Sequence, residues 1–183
     1  MYYTLIIFQK IGDMIYLGHL DFQNLWERLI RILELPICYS EGFHKTMKYN
    51  LVQPLGLGIE GNHEYLHLTL QQPIESSDLM RNLTRILPEG LVVKKIVATR
   101  FNAKWFHRHK HSAVYQIDLN KPLPENFISA IPSILSQQYL SPKQLEIHVV
   151  NSPTQQTNVR NLFSGQPTLD IMKLKRVRLL YSR

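Results

Sequence analysis

Apolar positions recur along the chain in two rhythms, and each rhythm marks an element. Tyr2 to Gln9 is dense in β-branched and aromatic residues and reads as a strand, followed by a turn at "KIGD". After Gly18, the residues Leu20, Leu25, Trp26, Leu29, Ile30 and Leu33 recur at three- and four-residue steps. That spacing predicts the buried stripe of a helix, which Pro36 ends. "ICYS" and "MKYNLVQPL" read as two strands around the loop "EGFHKT". From Glu64 to Leu70 the period falls to two, with Tyr65, His67 and Thr69 on one face and Leu66, Leu68 and Leu70 on the other. Ser76 or Ser77 is expected to cap a second helix with Leu79, Leu83, Ile86 and Leu87 inward, and Leu91 to Thr99 is a further strand.

The order is thus β-α-β-β-α-β, a ferredoxin-like unit. After "RFNAKWFHRHKH" the pattern restarts in abbreviated form. Val114 to Leu119, Gln144 to Val150 and Leu169 to Tyr181 read as strands. Pro124 to Gln137 reads as a helix bent or shortened by Pro132, and "PTQQTNVRNLFSGQP" as a loop with one short helical turn. The expected fold class is α+β, with two ferredoxin-like halves of antiparallel sheet, the second abbreviated. The expected divisions are residues 1–101, a basic aromatic connector over 102–111, and residues 112–183.

Composition narrows the class. The chain has 183 residues with 44% hydrophobic and 19% charged content, which is globular rather than disordered. No apolar run reaches the ~18 residues of a membrane span, and "MYYTLIIFQK" lacks the basic start of a signal peptide, so no membrane partner is expected. The single cysteine, Cys38, excludes an intrachain disulfide, fits the cytoplasm and reads as a buried thiol. Lys and Arg number 21 against 14 Asp and Glu, a formal charge of +7. That balance favours polyanionic partners, chiefly nucleic acid.

The charge has a focus. Lys94 to His111 contains six Lys or Arg and no acid, with Trp105 and Phe106 among them. Cations hold phosphates and aromatic faces stack on unpaired bases, so Lys94, Lys95, Arg100, Lys104, Trp105, Arg108 and Lys110 are candidate RNA contacts. The bland alternative is a solvated connector whose aromatics pack inward. His107, His109 and His111 alternate and would share a face on a strand, but zinc would need a further ligand, and no metal is expected. The closing "KLKRVRLLYSR" offers a second basic stripe, with Lys173, Lys175 and Val177 alternating against Leu174, Arg176 and Arg178. "PLGLGIEG" matches neither phosphate-loop pattern and reads as a hairpin-type loop.

The stretch "GHLDFQNLWERLIRILELPICYSEGFHKTMKYNLVQPLGLGIEGNHEYLHLTL" resembles the radical-SAM-linked protein family, a bacterial domain of unknown function. The matching positions are His19, Leu20, Asp21, Arg28, Leu35, Pro36, Ser40, Gly42, Phe43, Pro54, Leu55, Gly58 and Glu64, with "LPEGLVV" further on. The chain departs from the family pattern at Gly18, where Ser is usual, and at "HKTM", where Asn-Pro-His-Pro stands. The resemblance implies an accessory domain beside a radical SAM protein or in RNA and ribosome metabolism. It makes Arg28, Gly42, Phe43 and Glu64 candidate substrate or partner contacts. With one cysteine, the chain cannot itself hold a radical SAM iron–sulfur cluster, and no cofactor is expected.

His19, Asp21, Ser40 and His44 are the candidate catalytic set, since a His held by a carboxylate can serve as acid or base. The structural alternative is that Gly18 is the N-cap of the helix and Asp21 meets the positive end of its dipole. The first expectation is a non-enzymatic domain binding RNA, a ribonucleoprotein or a radical SAM partner. The alternatives are a metal-independent RNA-processing enzyme using His acid and base residues, and a purely protein-binding subunit.

Overall fold

The computed structural model describes residues 1–123, 131–152, 157–163 and 171–181. The chain divides into two compact units, Met1–His107 and Arg108–Arg183. It is α+β throughout, with eight strands and three α-helices among the described residues.

The first unit runs β1 (Tyr2–Lys10), a 3₁₀ turn (Gly12–Tyr16), α1 (His19–Ile32), β2 (Tyr49–Leu51), β3 (Glu60–Leu70), α2 (Ser76–Ile86) and β4 (Leu91–Thr99). Its strands lie in the order β4-β1-β3 with β2 also on β3, and every pairing is antiparallel. The register sets Ile6 opposite Leu66 and Ile96, and Thr4 opposite Leu68. Alternation then turns Ile6, Phe8, Leu66, Leu68 and Leu70 to one face. Phe22, Trp26, Leu29 and Ile30 of α1 and Leu79 and Leu83 of α2 join that cluster, so both helices cover the same side of the sheet. Phe8 meets Trp26 edge-on at 5.3 Å, which locks α1 across β1.

Local signals explain the element ends. Gly18 is the N-cap of α1, with extended backbone and no side-chain cap, and Asp21 stands in the first turn. The cap of α2 is Glu75, not Ser76 or Ser77, and its side chain makes no capping bond. Gly90 has φ +83, and a Cβ there would run into the Ile11 carbonyl and come within 2.9 Å of Met14 Cβ. Only glycine accepts both the turn and the approach. The two strands expected around "EGFHKT" shrink to β2 and two isolated bridges, Ile37 with Leu70 and Tyr39 with Met47. Cys38 lies there half-buried rather than buried; its N–H donates to Thr69 O at 2.8 Å.

The second unit contains β5 (Lys110–Leu119), β6 (Ile134–Ser141), β7 (Gln144–Val150), a 3₁₀ turn (Val159–Phe163) and β8 (Ile171–Tyr181). Its order is β8-β5-β7-β6, again antiparallel. Counting from the first strand of each unit, both sheets therefore follow the order fourth, first, third, second. The helix α3 (Ala103–His109) spans the division between the units.

Two expectations are corrected here. The part of the Pro124–Gln137 helix that begins at Ile134 is strand: β6 closes a hairpin on Pro142 and Lys143 and pairs with β7. Pro132 bars a helix from continuing, and the ladder with β7 supplies the hydrogen bonds instead. Residues 124–130 of that helix, 153–156 and 164–167 of the loop, and Leu169 lie outside the described residues. His107, His109 and His111 do not share a face, because the first two belong to α3 and the third to β5. Residues two apart on a helix point far apart around its axis.

Candidate nucleic-acid interface and the cleft beside the first helix

The face of the first sheet turned away from α1 and α2 is polar and aromatic. The register places Tyr3 opposite Thr69, Leu5 opposite His67, and Asn50 opposite His67 on its other side. Phe101 and Phe106 follow β4 and fold back over this face: the Phe106 ring lies 5.9 Å from His67, and Tyr3 lies 5.4 Å from it on another side. His67 is fully buried among them.

A cavity of about 470 Å³ opens beside these rings, within the usual size of a small-ligand pocket. Tyr3, Lys48, Asn50, His67, Asn102 and Lys104 line it. A second depression of about 320 Å³ is bordered by Tyr3, Thr99 and Arg100, so Tyr3 lines both. His67 Nε2 lies 3.0 Å from the Phe101 carbonyl. A carbonyl only accepts, so Nε2 carries the proton and Nδ1 of the neutral ring is an acceptor. Nδ1 is buried and meets no hydrogen-bond partner among the described residues. Burial lowers the His67 pKa, against the upward pull of the Phe101 carbonyl and its own backbone, which favours the neutral ring. Asn102 Oδ1 accepts from Trp105 N–H at 3.0 Å and opens α3, leaving its amide N–H₂ as the donor end.

Of the candidate RNA contacts, Lys94, Lys95, Arg100, Lys104 and Trp105 belong to the first unit, and Arg108 and Lys110 to the second. Lys94, Lys95, Arg100 and Lys104 are exposed, and Lys95 pairs with Ile7 in the register that carries Leu5 and His67. The Arg100 guanidinium sits 5.1 Å from the Phe101 ring. Trp105 is half-buried and stacks on Phe101 with centroids 4.1 Å apart, so one of its faces is already occupied. Arg108 is exposed on α3, and Lys110 opens β5 opposite Tyr181.

In the second unit, a register shift between Val114 and Tyr115 sets Val114 opposite Arg178 but Tyr115 opposite Arg176. Arg178 thereby joins Lys173 and Lys175 on the face carrying Gln116 and Asp118, whereas Arg176 is buried. Strict alternation puts Arg178 on the opposite face; the bulge reverses its phase. On the same face, His148 Nε2 and Ser112 Oγ are 2.6 Å apart. Ser112 is 1% exposed, so this pair ties β7 to β5 and offers no accessible nucleophile.

The residues expected to be catalytic fall into two places. His19 lines a small cleft with Lys10, Gln53, Pro54, Leu55 and Glu64, so the resemblance positions His19, Pro54, Leu55 and Glu64 do meet there. Its volume is about 10 Å³, room for a single water. Lys10 and Glu64 are buried in it. The Lys10 ammonium donates to Leu17 O at 2.9 Å and lies 4.7 Å from the Phe22 ring. Burial lowers its pKa, and the Glu64 charge opposes that shift.

Ser40 and His44 share an exposed loop instead. Ser40 Oγ accepts from the Thr46 N–H at 3.0 Å and shapes the turn itself. No hydrogen bond or ion pair among the described residues joins His19 or Asp21 to Ser40 or His44. Arg28 and Gly42 are exposed, and Phe43 is wholly exposed. No group of three or more His, Cys, Asp or Glu side chains among the described residues is placed to hold a metal ion. No helix among them is long and apolar enough to cross a membrane.

Sequence reasoning missed Tyr3, Lys48, Asn50 and Asn102, and treated His67 only as one face of an alternating strand. The period-two pattern of β3 was the available signal. It separates His67 from its leucine neighbours but does not say which strands flank it. Comparison with known families gives a match over residues 4–175 to the family described as "Uncharacterized protein conserved in bacteria (DUF2344)". No curated protein matches the chain.

Proposed function

We propose that this chain, which belongs to that bacterial family, is a non-catalytic binding domain for single-stranded RNA in RNA or ribosome metabolism of the cytoplasm. The observation that supports the reading most is the cavity on the second face of the first sheet, where Lys48 and Lys104 flank Tyr3, Asn50, His67 and Asn102. Cations for phosphates, an aromatic face and amides at one sheet surface are what unpaired RNA requires, and duplex RNA offers no splayed base to use them. Within this reading, each unit is a ferredoxin-like element, supported by the antiparallel order that both sheets repeat.

Crosslinking by ultraviolet light in cells, followed by mapping of the attached peptide, tests the proposal. Adducts on the peptides bearing Tyr3 or Phe101–Lys104 are the expected result. Recovery of the protein free of RNA contradicts it. A second reading, docking to a radical SAM protein, is favoured by Phe43, whose wholly exposed ring at a loop tip suits a protein surface.

A further inference from the structure

We infer that the cavity between Tyr3, Asn50, His67 and Asn102 receives one unstacked nucleobase of an RNA strand. The inference rests on the RNA-binding reading and specifies how the strand is held. Three features point to a base rather than to phosphate alone. The first is His67, which lines the cavity and whose buried Nδ1 has no side-chain hydrogen-bond partner among the described residues. A buried polar atom without a partner costs free energy that a ligand N–H recovers. The second is a donor on the same cavity lining. Asn102 spends its carbonyl oxygen on the start of α3, and its amide N–H₂ remains to donate. An acceptor and a donor together complement the adjacent donor and acceptor that each nucleobase carries on its edge. An inorganic anion has no N–H to give His67.

The third is the aromatic wall. Tyr3 borders both this cavity and the second depression, which Arg100 also borders. A base in the first and a nucleotide in the second would both meet Tyr3, with Lys48, Lys104 and Arg100 available to the phosphates. The cavity has the volume for a base and part of its sugar. Trp105 contributes differently: its stack on Phe101 holds the wall of aromatics over His67.

The test compares a short single-stranded RNA with an abasic strand of equal length and charge, and with AMP. Stacking and edge contacts on one base are worth about five- to a hundred-fold in affinity. The intact strand is expected to bind tighter than the abasic strand by a factor in that range. Asn50→Ala should bring the intact strand toward the abasic affinity while leaving the melting midpoint in place, and Tyr3→Leu should narrow the same difference. Equal binding of intact and abasic strands overturns the base pocket but leaves RNA binding standing. Binding of neither strand at low salt overturns both. AMP binding as tightly as the strand overturns RNA as the source of the base and makes the cavity a free-nucleotide site.

Discussion

His67 and Phe101 are joined across 34 residues of chain by a hydrogen bond of 3.0 Å from the imidazole Nε2–H to the Phe101 carbonyl. The bond pins the segment after β4 onto the outer face of β3. It also fixes the tautomer in which Nδ1 of the neutral ring is the acceptor.

The pairing has a pH consequence. His67 titrates below its ordinary 6.5 in the fold because burial penalises the imidazolium. The unfolded chain therefore takes up a proton that the folded one refuses. Stability is fully present above the ordinary value and is lost as pH falls through the folded value. His67→Phe keeps a ring against Tyr3 and Phe106, forfeits about 1–2 kcal/mol at neutral pH, and removes this part of the acid sensitivity. Urea midpoints of both proteins between about pH 7.5 and pH 5 check it. A variant that loses stability in acid as steeply as the parent contradicts it.

Asp21 acts on the helix it opens. It is exposed in the first turn of α1, whose N-cap, Gly18, has no side chain to offer. Asp21→Asn should cost about 0.3–1 kcal/mol through the helix dipole and leave RNA affinity unchanged. Thermal melts beside a binding titration separate the two. A loss of affinity at constant melting temperature would move Asp21 into a binding site.

Lys10 and Glu64 should be coupled energetically. Both are buried at the small cleft, and the Glu64 charge supports the Lys10 ammonium. Glu64→Gln removes the charge that favours the buried Lys10 ammonium and should destabilise the fold. Lys10→Met combined with Glu64→Gln should recover part of that loss, with a coupling of about 0.5–3 kcal/mol in a double-mutant cycle. Strictly additive losses would contradict the pairing.

Gly90→Ala should be among the most damaging small substitutions. It places a Cβ at φ +83 against the Ile11 carbonyl and Met14. Strain of about 1–3 kcal/mol is expected from the backbone, with the clash added to it. A melt unchanged by the substitution would show that the turn can rearrange.

How much of this was legible in sequence depends on the range of the interaction. The stripe of Leu25, Trp26, Leu29 and Ile30 and the alternation through Leu66, Leu68 and Leu70 are local periodicities, and they gave α1 and β3 directly. The strands Leu91–Thr99 and Gln144–Val150 match their elements end to end. β6 was read as helix because its partner β7 supplies its order, and pairing is not written in the strand itself. The phase of Arg178 depends on a bulge, which adds one residue and leaves no trace in the periodicity. The cavity was hidden for the same reason. Tyr3, Asn50, His67 and Asn102 come from four separate segments, and only the register of β1 and β2 on β3, with the return of Phe101, brings them together.

The central claim, that the chain holds single-stranded RNA, is tested most directly by filter binding of single-stranded and duplex RNA across salt concentrations. Counterion release makes the charge contribution fall steeply with salt, whereas base contacts persist. The account predicts tight binding at low salt, a preference for the single strand that survives as salt rises, and a shallower salt dependence in Lys48→Gln combined with Lys104→Gln. Absence of binding at low salt, or equal affinity for single strand and duplex at every concentration, would contradict it.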